Sequence, residues 1–203
     1  EMMGRAFSQM KHGRLGPVLL EIPHDVGLEE FPGDKIPYTP VSVHKSEADP
    51  NEIRELVATM LMAKNLRVGH LSTHRSLIRA CDLVKKDRIL EYLQLTHESF
   101  VSYGFKNPRI GTAALNPHGS DGGLMGDEEA SEILPAVETA KSRGINAIGP
   151  VPADIIFHQA IQGQYDVVLC MYHDQGHIPV KVYGFEESIT ANLGLPFIRT
   201  SVD

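Results

Sequence analysis

From residue 66 onward, apolar residues come in short unbroken blocks, and each block runs into a polar turn rich in glycine, proline or histidine. LRVGHLS (66–72), PRIGTAAL (108–115) and YDVVLCM (165–171) are blocks of strand length and read as buried strands. Between them the spacing changes to that of helices. Residues 76–104 hold enough of it for two helices. Residues 127–144 predict a third: acidic residues open it, Lys141 and Arg143 lie in its last turn, and Gly144 stops it. Residues 154–163 predict a short fourth. GPVPAD (149–154) reads as a turn, and LPFIRTSV (195–202) as strand-like. Alternation of this kind predicts an α/β class with a largely parallel sheet and flanking helices.

The first third is written differently. Arg5 to His12 has a helical pattern, GRLGP a turn, and VLLEI a strand stopped by Pro23. Pro32, Pro37, Pro40 and Pro50 then punctuate a stretch poor in apolar residues, which reads as a linker. NEIRELVATMLMAK (51–64) has apolar positions at helical spacing, with Asp49 or Asn51 available as its cap and Pro50 near its first turn. The chain begins at Glu1 and stops at Asp203 directly after strand-like sequence, so both ends read as cut.

Composition narrows the function classes. Nineteen basic against 26 acidic side chains give a formal net charge of −7, which argues against a nucleic-acid surface as the main business. No apolar run approaches the ~20 residues that span a bilayer, and no signal peptide is visible. Cys81 falls in a predicted helix and Cys170 in a predicted strand. Two such cysteines do not make a disulfide framework and read as reduced, in a cytoplasmic protein.

Histidines carry the candidate chemistry. His74, His118 and His173 each follow a predicted strand. In a parallel sheet the carboxyl ends of strands share one edge, and ligands bind in the crevice outside it. Three imidazoles converging there, within one subunit or across two, would suit a divalent transition metal and leave positions open for substrate oxygens. His70 lies inside a strand and reads as structural; His177 is close to the site without being at an equivalent position; His12, His24, His44, His97 and His158 fit no pattern. NPHGSDGGLMG (116–126) allows close backbone approach and precedes a predicted helix, which suits a phosphate or carboxylate. Asp121 there is a site group or a turn-former. Lys181 and Arg199 are cations suited to an anionic substrate or to solvated surface. Asp154 is either a helix cap or a catalytic carboxylate.

STHRSL, LNPHGSDGGLMG, GPVPAD, MYHDQGHIPVK and LGLPFIRTSVD stand in order over residues 66–203. Together they resemble the 4-hydroxythreonine-4-phosphate dehydrogenase family of the vitamin B6 pathway, including its branch acting on threonate 4-phosphate. The resemblance implies an isocitrate/isopropylmalate dehydrogenase-like fold, incomplete here at both ends. It implies NAD-dependent oxidation of a hydroxyl followed by decarboxylation, on a four-carbon phosphorylated hydroxy acid. Carried over residue by residue, the family's three metal-binding histidines match His74, His118 and His173, shared across a homodimer, with Zn, Mg, Mn or Co as the ion. Its substrate-contacting lysine and arginine match Lys181 and Arg199, and its asparagine falls at Thr190, a departure. Lys181 and Asp154 are the expected catalytic side chains. No residue is assigned to the nucleotide.

Residues 1–64 do not resemble that family's amino-terminal half. AFSQMKHGRLGPVLLEIPHDV is similar to a segment of thiamine-diphosphate-dependent, acetolactate synthase-like enzymes, without their activating glutamate or diphosphate motif. The expectation is a foreign segment over 1–64, joined by fusion or sequence-assembly artefact to a partial dehydrogenase-like domain over 65–203. An inactive remnant that at most binds a divalent metal is the alternative function, and a thiamine-diphosphate enzyme fragment is the third.

Overall fold

The computed structural model describes residues 58–195, 197 and 199–202. The helix expected at 5–12, the strand at 18–22, the linker at 31–50 and residues 51–57 of the next expected helix lie outside these. The seven strands are β1 (Ala58–Ala63), β2 (Leu66–His70), β3 (Ile110–Ala113), β4 (Ala147–Val151), β5 (Val167–Cys170), β6 (Ile189–Leu193) and β7 (Arg199–Val202). They form one sheet in the order β4-β3-β5-β2-β1-β6-β7. β2, β3, β4 and β5 pair in parallel, whereas β1 is antiparallel to β2 and β6, and β7 is antiparallel to β6. The α/β class and the largely parallel sheet are as expected.

Five α-helices cover the sheet: α1 (Leu77–Asp82), α2 (Lys86–Ser102), α3 (Leu134–Ser142), α4 (Ala153–Ile161) and α5 (His173–Gly184). One core cluster joins Ile89, Leu93 and Phe100 of α2 and Val137 of α3 to Ile110, Leu169 and Leu193. A second, on the opposite face, joins Ile156 of α4 and Val180 of α5 to Leu61, Val68 and Val168. Sheet residues of alternating side therefore feed two cores, which is why the central strands are apolar throughout.

Two expectations fail for physical reasons. Residues 58–63 of the helix expected over 51–64 are strand β1 instead. Met62 pairs with Arg67 and Ala63 with Leu66, so Lys64 and Asn65 make a tight hairpin, with Lys64 at φ 54°. Burial of Ala58, Met60, Leu61 and Ala63 inside the sheet outweighs their helical spacing. GPVPAD, expected as a turn, begins within β4; Pro150, which cannot donate to a ladder, is tolerated because β4 is an edge strand. The helix expected over 127–144 does form, over 128–142: a wide turn at Glu129–Ile133 passes without a break into α3, whose second residue, Pro135, has no N–H to carry an α pattern back across the junction. Among the described residues, no helix is long and apolar enough to cross a membrane.

Candidate active site

The carboxyl ends of β2, β3 and β5 share one sheet edge, and the three expected histidines all leave from it. His74 follows β2 in a left-handed backbone conformation (φ 51°), and His173 opens α5 directly after β5. Their rings face each other with centroids 5.5 Å apart, lining a cleft of about 230 Å³ with Arg75, Tyr172 and Asp174. Asp174 Oδ1 lies 2.7 Å from His173 Nδ1. A carboxylate can only accept, so Nδ1 carries the proton and Nε2 keeps its lone pair. This backing carboxylate follows directly from the adjacent position on the helix, and sequence reasoning passed over it.

His118 sits elsewhere on the same edge. It lines a neighbouring cavity of about 310 Å³ with Asn116, Asp154, Tyr172 and Gln175, and Tyr172 borders both spaces. Burial leads the causes that push the Tyr172 phenol up, so it stays protonated at neutral pH. Asp154 thus does reach a space shared with an expected ligand, and it lies in the first turn of α4. His70 is buried and places Nδ1 3.3 Å from the Thr59 carbonyl, the structural role expected of it. His177, one turn beyond His173, stacks on that ring at 3.6 Å and sets Nδ1 3.0 Å from His70 Nε2.

The expected cations are spread out. Lys181 is two turns along α5 and shares a groove with His173 and His177. Arg199 is paired with Asn192 in the β6–β7 register, and Asn192 in turn with Thr59 on β1. It is therefore at the same edge but three strands from β2, about 14 Å across the sheet. Thr190 lies mid-strand, between Leu61 and Ser201. Asn192, on the same face and nearer the edge, is a polar residue that sequence reasoning missed; the period of two within β6 would have found it.

The fit of a metal can be tested on this geometry. Two imidazoles on one tetrahedral ion, with bonds of about 2.0–2.1 Å, hold ring centroids roughly 5 Å apart. His74 and His173 meet that spacing, whereas the 3.6 Å stack of His173 on His177 does not. Among the described residues, no group of three His, Cys, Asp or Glu side chains is close enough to hold an ion. One chain therefore offers a fitting pair.

The turn carrying His118 has an unusual build. His118, Gly119, Ser120, Asp121, Gly122 and Gly123 all have positive φ, from 45° to 98°. For each residue with a Cβ this costs roughly 1–2 kcal/mol, so three glycines make the turn feasible and outside contacts must hold it. Glu129, buried in the following wide turn, supplies one set. Its carboxylate accepts from the backbone N–H of Leu115 (2.8 Å) and of Asn116 (2.7 Å), and from the Asn116 side-chain amide (2.9 Å). Burial works against its charge, yet the Asn116 and Leu115 donors outweigh burial and keep the carboxyl below its usual range. The clamp takes the amides at the base of the loop expected to receive an anion, ahead of its glycines.

A family model described as pyridoxal phosphate biosynthetic protein PdxA matches residues 48–203. The chain belongs to the PdxA family. It is 50% identical over 149 residues to a 4-hydroxythreonine-4-phosphate dehydrogenase of Geobacter metallireducens, covering 73% of this chain and 44% of that protein. It is 44% identical over 146 residues to a D-threonate 4-phosphate dehydrogenase of Pectobacterium atrosepticum, covering 72% and 45%. A crystal structure of 4-hydroxythreonine-4-phosphate dehydrogenase from Klebsiella pneumoniae superposes with a TM-score of 0.70 at 41% identity, covering 72% of this chain and 44% of that one. The chain thus spans less than half the length of these PdxA-type relatives. The match begins at residue 48, ahead of the expected join near Asn65, and takes in all of β1.

Proposed function

We propose that this chain carries part of a dehydrogenase site that oxidises, with decarboxylation, a four-carbon phosphorylated hydroxy acid such as 4-hydroxythreonine 4-phosphate or threonate 4-phosphate. The observation that carries the reading is the facing of His74 and His173 across one cleft, with Asp174 behind His173. His74 and His173 would hold a divalent ion, Zn²⁺ or one of Mg²⁺, Mn²⁺ and Co²⁺, and His118 of a second copy would complete the set at a homodimer interface. When bound, such an ion would supply polarisation of the substrate oxygen, and NAD would supply the hydride acceptor. Lys181, Arg199 and Thr190, with Asn192 beside it, would hold the anionic ends of the substrate. Asp154, in the cavity of His118, would move a proton at the substrate oxygen.

We place the protein in the cytoplasm; Cys170 is buried in β5 with its thiol pushed well up by that burial, so it is inert as a nucleophile. Residues ahead of the family match would be the thiamine-diphosphate-enzyme-like segment, with no thiamine chemistry. The pairing of β1 with β2 and β6 favours a join nearer residue 48 than residue 65.

The test is nicotinamide reduction by the 203-residue chain with each phosphorylated acid and a divalent metal. Turnover with one of them, lowered about a thousandfold in His173→Ala, is expected, since a catalytic ion supplies several kcal/mol. The second reading, favoured by the facing of His74 and His173 alone, is that these residues bind a metal without turnover. Zn²⁺ binding with no hydride transfer under all these conditions would favour it over the first.

A further inference from the structure

We infer that Gln175 is a positioning residue that sets the His118 turn against His173. The inference rests on the metal-site reading above and adds to it the link between two histidine-bearing loops. β3 and β5 are neighbours, and their exits diverge: one enters the left-handed turn, the other enters α5. Gln175 is buried in the gap and uses both ends of its amide. Its Nε2 donates to the Ala114 carbonyl at 2.7 Å, and its Oε1 accepts from the Met171 N–H at 2.7 Å. The chemistry of the partners forces this orientation, because a carbonyl cannot donate and a backbone N–H cannot accept. The same side chain borders the cavity of His118 and Asp154.

Three further bonds knit this edge together. Ser72 Oγ donates to the Met171 carbonyl at 3.0 Å, tying the His74 loop to the β5 exit, and Glu129 grips Leu115 and Asn116 from the far side. Met171 is thereby held through its carbonyl by Ser72 and through its N–H by Gln175. Glu129 fixes the base of the His118 turn to the wide turn behind it, but does not reach β5. Gln175 is the side chain that carries the registration from the His118 loop to the His173 loop.

The residue's chemistry supplies a selective test. Gln175→Glu keeps an acceptor for the Met171 N–H but presents a carboxylate to the Ala114 carbonyl, so it should release the His118 loop and spare the His173 loop. Gln175→Met keeps the bulk and loses both bonds. Amide exchange by mass spectrometry on the whole chain is expected to show protection over 114–123 falling at least about tenfold in both variants, protection over 171–177 falling only in Gln175→Met, and β3 and β5 unchanged. Zn²⁺ affinity should fall about 10- to 100-fold, as for other outer-shell partners of metal ligands. Unchanged protection in both loops would overturn the inference, and so would a rise in exchange spread evenly over the sheet, which marks a merely structural role. If the unsubstituted chain binds no Zn²⁺, the metal reading fails, and the exchange pattern alone decides the role of Gln175.

Discussion

Glu129→Ala is expected to destabilise the fold by about 3–5 kcal/mol. The substitution leaves the N–H groups of Leu115 and Asn116 without their acceptor in a partly buried setting, and each stranded donor costs roughly 1–3 kcal/mol. It also removes one of the contacts that hold the base of a turn rich in left-handed residues. Denaturant unfolding at neutral pH measures the loss, and a change below about 1 kcal/mol would contradict the clamp. The acid limb gives an independent check. Glu129 has a folded-state pKa below its unfolded value, which is near 4.3. Its stabilisation is therefore complete above that pH and is lost as pH falls through the lower, folded value. Glu129→Gln, which does not titrate, should show a shallower loss of stability below about pH 4 than the unsubstituted chain.

Gly176→Ala is expected to cost about 1–3 kcal/mol through overpacking. A Cβ at this position would stand 2.4 Å from His70 Nε2 and 2.6 Å from Val68 Cγ1, so α5 cannot stay at its present distance from β2. His70 has little room to give way, being buried against the Thr59 carbonyl. Lifting α5 also displaces His173 and His177, so the melting temperature and the metal affinity should fall together, the former by several degrees. A neutral substitution would contradict the close packing of this helix.

The same glycine explains part of what the sequence concealed. Gly176 and Pro179 argue against a helix, and HDQGHIPVK reads as a loop leaving a strand. In the structure α5 runs through both, because its packing over β1 and β2 needs the glycine and outweighs the penalty of the proline. β6 was passed over although ITANL alternates apolar Ile189, Ala191 and Leu193 with polar Thr190 and Asn192, the period of two that its pairing with β1 realises. By contrast β2, β3 and β5 were legible, since strands buried on both sides announce themselves as apolar runs.

The site was legible to the extent that it follows from topology. A parallel sheet must bring His74, His118 and His173 to one edge, and it does. Which of them face each other depends on loop conformation, and that is set by partners remote in sequence: Glu129 for the His118 turn, Ser72 and Gln175 for the β5 exit. No local pattern announces those bonds. The pairing of His74 with His173, and the separation of His118 behind Tyr172, are accordingly structural findings.

In the proposed site the three histidine turns would serve one metal. The most direct measurement is Zn²⁺ binding to the purified 203-residue chain, by titration with sedimentation to give the oligomeric state, beside His118→Ala and His173→Ala. Close to one ion per chain in a dimer is expected, with affinity lowered at least about a hundredfold by either substitution, since each would remove a ligand. Binding lost in His173→Ala but unaffected in His118→Ala would contradict it: the ion would then belong to the His74–His173 cleft alone, and His118 would have no part in the site.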